Sequence, residues 1–154
     1  MFARKHANIP QYVLNHYNRY YNNKTMTGTI RMTRVEAIDF NWGTARPGTN
    51  VNTNSFSVRW TGFVEAPATG TYTFQTITDD GGRLWVNGVQ LINNWSDHSA
   101  TTNTAGPINL VAGVRYAVTM EYYENGGSAV ARLLWRSPGN TTFVPVPADR
   151  LFPN

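Results

Sequence analysis

At 154 residues the chain has the usual size of one domain, and with no cysteine it excludes both a disulfide framework and a thiolate metal site. Its three histidines, His6, His16 and His98, are too scattered for a zinc cage, so any metal must be held by oxygen. The net charge of +4 arises in residues 1–35, where Arg4, Lys5, Arg19, Lys24, Arg31 and Arg34 meet no acid; such a spread-out arm is not the clustered basic surface that nucleic acid requires, and no nucleic-acid partner is expected.

The opening "MFARKHANIPQ" (1–11) lacks the apolar core of a signal peptide and reads as an extension or linker before a domain at 12–154. No apolar run approaches the ~20 residues of a membrane span, so no membrane insertion is expected. "YVLNHYNRYYNN" (12–23) fits an amphipathic helix or a strand, and its Tyr and Asn residues favour the strand. From Phe56 onward short strands of period two alternate with turns. In "FSVRWTGFV", Phe56, Val58 and Trp60 face one way and Ser57, Arg59 and Thr61 the other, as in a sheet with one buried face. "PATG" turns the chain, and "TYTFQTI" sets Tyr72, Phe74 and Thr76 on one side. After Asp79-Asp80-Gly81-Gly82, "RLWVNGVQLI" predicts a hairpin around Asn87-Gly88. "NNWSDHSATTNTAGP" (93–107) reads as a surface loop, "INLVAG" and "RYAVTMEYY" resume the alternation, and "AVARLLW" completes a second long hairpin across "ENGGS". "SPGNTTFVPVPADRLFPN" reads as proline-rich coil. The fold class predicted is all-β, an antiparallel sandwich or barrel with long surface loops, and the abundance of Thr, Asn and Gly points to a module working outside the cell or at its surface.

The ordered series "YYNN" (20–23), "IDFNWG" (38–43), "FSVRWTGFVEAPATGTYTF" (56–74), "TDDGGRLWVNGV" (78–89), "INNW" (92–95), "LVAG" (110–113), "EYYENGGSAVARLLW" (121–135) and "LFP" (151–153) closely resembles the PA14 domain family over residues 12–153. Members are β modules within bacterial glycosidases, toxins, adhesins and flocculins, and many bind carbohydrate. In the lectin branch, paired acids joined by a cis peptide chelate one Ca2+ together with an amide side chain and backbone carbonyls of a later loop. The resemblance implies that Asp79 and Asp80 form the pair, with Asn125 and the carbonyls of Gly126, Gly127 and Ser128 completing the site. Gly81 and Gly82 would then leave room for a ligand, and Trp95 is the tryptophan expected to show an edge there. The small Gly-rich opening usual before the first tyrosines is replaced here by "MFARKHANIPQ".

Each of these residues also has a plainer reading. Asp79 and Asp80 could cap backbone amides in a turn, and Asn125-Gly126 could be a simple hairpin turn; their combination favours calcium. Trp42, Trp60, Trp95 and Trp135 are expected in the core, and His98 beside Asp97 in a solvated loop. Glu121 and Glu124 end a strand near the pair, but adjacent acids on one ion do not provide the flanking carboxylates of a glycosidase, so no enzyme is expected. The expectation is a non-catalytic, calcium-dependent module of a longer protein, binding a glycan or polysaccharide through vicinal hydroxyls. The alternative is a structural or protein-interaction module without lectin activity.

Overall fold

The computed structural model describes residues 18–34 and 36–153; the predicted extension at 1–11 and the first part of the predicted strand at 12–23 lie outside them. Among the described residues, thirteen strands form two antiparallel sheets. The first contains β1 (Asn18–Tyr21), β2 (Ile30–Arg34), β4 (Phe56–Glu65), β6 (Gly82–Val86), β7 (Val89–Asn94), β10 (Arg115–Glu124) and β13 (Leu151–Phe152). Its order is β2-β1-β4-β10-β6-β7, with β13 on β4. The second contains β3 (Asp39–Gly43), β5 (Gly70–Asp79), β8 (Thr101–Thr104), β9 (Ile108–Leu110), β11 (Ala129–Arg136) and β12 (Val144–Pro145), in the order β12-β11-β5-β8 with β3 on β11 and β9 on β5.

The core lies between the sheets, and the period-two pattern supplies it. Phe56, Val58 and Trp60 of β4 and Met120 and Tyr122 of β10 are buried against Phe74 of β5 and Trp135 of β11. Burying each such side chain contributes about 1.5–3 kcal/mol, so the central strands of the two sheets hold the sandwich together. Trp42 packs partly buried against this core, stacked on Phe40 with ring centres 4.6 Å apart. The Asn-Gly hairpin forms as predicted: Asn87 and Gly88 take φ of 53° and 75°, and Val86 pairs with Val89.

Three expectations need correction. β10 and β11 are not a hairpin: β10 pairs with β4 and β6, β11 with β5, β3 and β12, so the "ENGGS" turn crosses from one sheet to the other. Each strand needs an apolar partner on its inner face, and facing each other across the sandwich meets that need as well as lying side by side. Residues 93–107 are not all loop. β7 runs on to Asn94, and Thr101–Thr104 forms an edge strand on β5. That strand buries no apolar side chain, so its alternation carries no hydrophobic signal; its backbone pairs all the same, and Gln75 Nε2 donates to Thr104 Oγ1 at 2.9 Å. The proline-rich terminus holds two short strands, β12 and β13, and a 3-10 turn at Ala148–Arg150.

Candidate metal centre

At the end of β5 the chain passes from the second sheet to the first through Asp80 and Gly81, and the Asp79–Asp80 peptide is cis, as the family resemblance implied. The Asp80 carboxylate is buried. Its Oδ1 accepts the backbone N–H of His98 at 3.0 Å and its Oδ2 that of Asn125 at 2.8 Å, so one side chain ties the loop after β7 to the turn after β10. Asp79 is half-buried, and its main-chain carbonyl accepts the Tyr122 hydroxyl.

Glu124 closes the cluster from below. On β10 the alternation that turns Val118, Met120 and Tyr122 inward also turns Glu124 inward, at 0% exposure, and neither of its carboxylate oxygens has a hydrogen-bond partner among the described residues. Oxygens of Asp79, Asp80 and Glu124 all lie within 4.8 Å of one another. Burial, and then the charges of Asp80 and Asp79, push the Glu124 carboxyl up to about 7; burial and then Asp80 raise Asp79 above the ordinary carboxylate range. The Tyr122 phenol is raised too, by burial and by Glu124.

These donors fit a hard divalent cation. The ion pairs among the described residues go to other acids: Glu121, Glu65 and Asp39. Three carboxylates thus share one point with no Lys or Arg ion pair among the described residues to neutralise them, and His98 is the basic side chain that acts on Asp79. Oxygens sharing one Ca2+ ion, each ~2.3–2.6 Å from it, stand no more than about 5 Å apart, and the three carboxylates fall within that limit.

Around the cluster runs a polar rim. Asn125, Gly126, Gly127 and Ser128 are exposed. Asn125 Nδ2 donates to Asp97 Oδ2 at 2.7 Å, which leaves Oδ1 as the oxygen this amide can present. The Asn125 carbonyl accepts from Ser55 N at 3.3 Å, and Gly127 N donates to Asn54 Oδ1 at 3.2 Å, so the turn is braced by the loop before β4. The other oxygen of Asp97 accepts the Tyr123 hydroxyl at 2.7 Å, and that hydrogen bond holds the Asp97 carboxyl below its usual range.

Some predicted site residues play other parts. Gly81 is buried, and a Cβ there would lie 2.2 Å from the Tyr123 ring, so its missing side chain makes room for Tyr123. Gly82 likewise accommodates Thr78, which a Cβ would meet at 2.8 Å. Trp95 is half-buried, set edge-to-face with Tyr123 at 4.8 Å, and the Arg83 guanidinium lies 3.6 Å from its ring centre, so one ring face is already covered. Glu121 stands outside the cluster, paired with Arg59 at 2.8 Å and Arg83 at 2.9 Å. Sequence reasoning set Glu124 near the pair but gave it no part in the cluster, and left Asp97 out of the site; Glu124 carried a signal, since an acid at a core-facing position of a strand is anomalous. Asp97, set aside as loop, carried none.

The PA14 domain family matches residues 15–149. The anti-sigma-I factor RsgI3 of Acetivibrio thermocellus is 42% identical over 136 residues, covering 88% of this chain and 21% of RsgI3. A solved anti-sigma factor domain-containing protein is 40% identical with a TM-score of 0.84, covering 91% of this chain and 48% of that one. This chain therefore spans less than half the length of either relative. A PA14 sugar-binding domain from an RTX adhesin shares the fold at 18% identity and a TM-score of 0.73, covering 90% of this chain and 98% of that one. Among the described residues no helix is long and apolar enough to cross a membrane. With the family matched over residues 15–149 and the two-sheet architecture in agreement, the chain belongs to the PA14 domain family.

Proposed function

We propose that the domain is a non-catalytic, calcium-dependent carbohydrate-binding module of a larger extracellular or cell-surface protein. The observation that carries this reading is the juxtaposition of the carboxylate cluster with the exposed Asn125–Ser128 turn, whose Asn125 N–H donates to Asp80. Asp79 and Asp80 would hold Ca2+ with Asn125 Oδ1 and backbone carbonyls of Gly126, Gly127 and Ser128. When bound, the cation supplies open positions for vicinal hydroxyls of a sugar. The chain's own residues do the orienting: Asp97 fixes the Asn125 amide, Asp80 anchors the turn through the Asn125 N–H, and Asn54 and Ser55 brace it from the side. The PA14 sugar-binding domain of the RTX adhesin lends support to carbohydrate as the ligand class, and the anti-sigma factor relatives to a place within a longer chain.

A shallow site that holds one terminal sugar makes few contacts against the cost of association, so a single domain binds weakly and gains by multivalent display. Glycan arrays run with calcium and with chelator test the reading. Capture of particular glycans only in calcium is expected; binding that survives chelation, or no binding to any glycan with calcium present, overturns it. In the latter case a calcium-indifferent domain points to a structural or protein-interaction role.

A further inference from the structure

We infer that Glu124 is a third carboxylate ligand of the same cation, and that the bound ion clasps the two sheets together at this end of the sandwich. The inference rests on the cation site proposed above, and it assigns to Glu124 a role distinct from sugar recognition. Asp79 is the last residue of β5 and pairs with Val130 in the second sheet; Glu124 is the last residue of β10 and pairs with Phe56 in the first. An ion reached by both therefore spans the sandwich.

The Glu124 side chain is fully buried, has no side-chain hydrogen-bond partner among the described residues, and sets its oxygens within 4.8 Å of those of Asp79 and Asp80. Were it protonated, Asp79 and Asp80 would still stand side by side as two carboxylates whose oxygens lie within 4.8 Å of one another. A divalent cation between the three satisfies both Glu124 and the pair above it. Because the Glu124 side chain is fully buried whereas Asn125–Ser128 is exposed, it leaves the outward positions of the ion to ligands.

Calorimetric titration with calcium chloride, and thermal melts in calcium and in chelator, test this with no sugar present. Glu124→Gln removes the charge at constant shape, and Glu124→Met removes the polar atoms as well. Both are expected to bind calcium more than about a hundredfold more weakly than the wild type, beyond the loss typical of an outer-shell partner. They should also lose the calcium-dependent rise in melting temperature, and melt no lower than the wild type in chelator. Variants that bind calcium with wild-type affinity overturn the inference while leaving the carbohydrate reading intact. Variants that lose calcium, with a wild type that captures no glycan, uphold it while the carbohydrate reading falls; a wild type that takes up no calcium sinks both. Should neither variant fold, the 13C shift of the Glu124 carboxyl in the wild-type protein reads the same contact: movement on adding calcium supports ligation, and an unmoved resonance overturns it.

Discussion

Two turns of this protein begin with the same dipeptide, Asn-Gly, and end in different places. Asn87-Gly88 joins β6 and β7 within one sheet, both residues in the left-handed region and the flanking Val86 and Val89 paired. Asn125-Gly126 joins β10 in one sheet to β11 in the other, with the positive φ of 93° displaced to Gly127. The first turn is local: backbone preference and the twist of two adjacent strands suffice to explain it. The second is held by side chains from elsewhere, Asp80 and Asp97 on Asn125 and Asn54 on Gly127. A turn dipeptide states that the chain reverses, and what the flanking strands pair with is decided by the groups that capture its ends. The turn captured by distant groups is also the one beside the carboxylate cluster.

The strongest way to break this comparison is to remove the anchor. Asp80→Ala deletes a carboxylate from the cluster and the acceptor for two backbone N–H groups, those of His98 and Asn125. Calcium uptake is expected to disappear in calorimetry. Metal-free stability should fall by about 1–3 kcal/mol, the cost of leaving buried donors unmet, and the far-ultraviolet spectrum of the folded sheets should be retained.

A change of pH acts on the same turn through Glu124. Metal must bind the ionised carboxylate, so calcium affinity is expected to fall about tenfold for each pH unit below 7 that this group governs, until the neighbouring acids add their own protons. Without calcium the sign reverses. The folded Glu124 keeps its proton up to about pH 7, whereas the unfolded residue loses it near its ordinary value of 4.5. The folded state therefore binds more protons between these values, and its stability falls as pH rises through the window, then levels off above it. Denaturant titrations in chelator at several pH values should show this slope in the wild type and its loss in Glu124→Gln.

Gly81→Ala probes packing beneath the site. A methyl group 2.2 Å from the Tyr123 ring forces the ring or the strand to move, at about 1–3 kcal/mol. Because Tyr123 donates to Asp97, which in turn holds Asn125, weaker glycan capture should accompany the lower melting temperature.

The smallest expected effects set the two turns side by side. Gly88→Ala and Gly127→Ala each place a side chain at positive φ with open space around it, so each should cost about 1–2 kcal/mol in chemical denaturation. Only Gly127→Ala is expected to weaken calcium and glycan binding as well. Equal ligand binding by the two variants would remove the distinction drawn here.

The alternation of Phe56, Val58 and Trp60, of Tyr72 and Phe74, and of Met120 and Tyr122 determined an all-β sandwich with its buried face, because a period-two apolar pattern can be satisfied only by a sheet covered on one side. Asn87-Gly88 likewise determined its hairpin, since both residues tolerate the left-handed backbone that the turn demands. The paired acids and the Asn125 turn could be named as site residues from their resemblance to a family. Their convergence with Glu124, the capture of Asn125 by Asp97, the packing of Tyr123 against Gly81, and the partition of β10 and β11 between sheets were decided by the tertiary structure. Thr101–Thr104 shows the same limit in small: its strand is made by backbone pairing with β5, which leaves no trace in the order of its side chains. Period and turn chemistry act between residues a few positions apart, whereas Asp80 and Asn125, or Gly81 and Tyr123, are some forty positions apart and meet only once β6 has paired with β10.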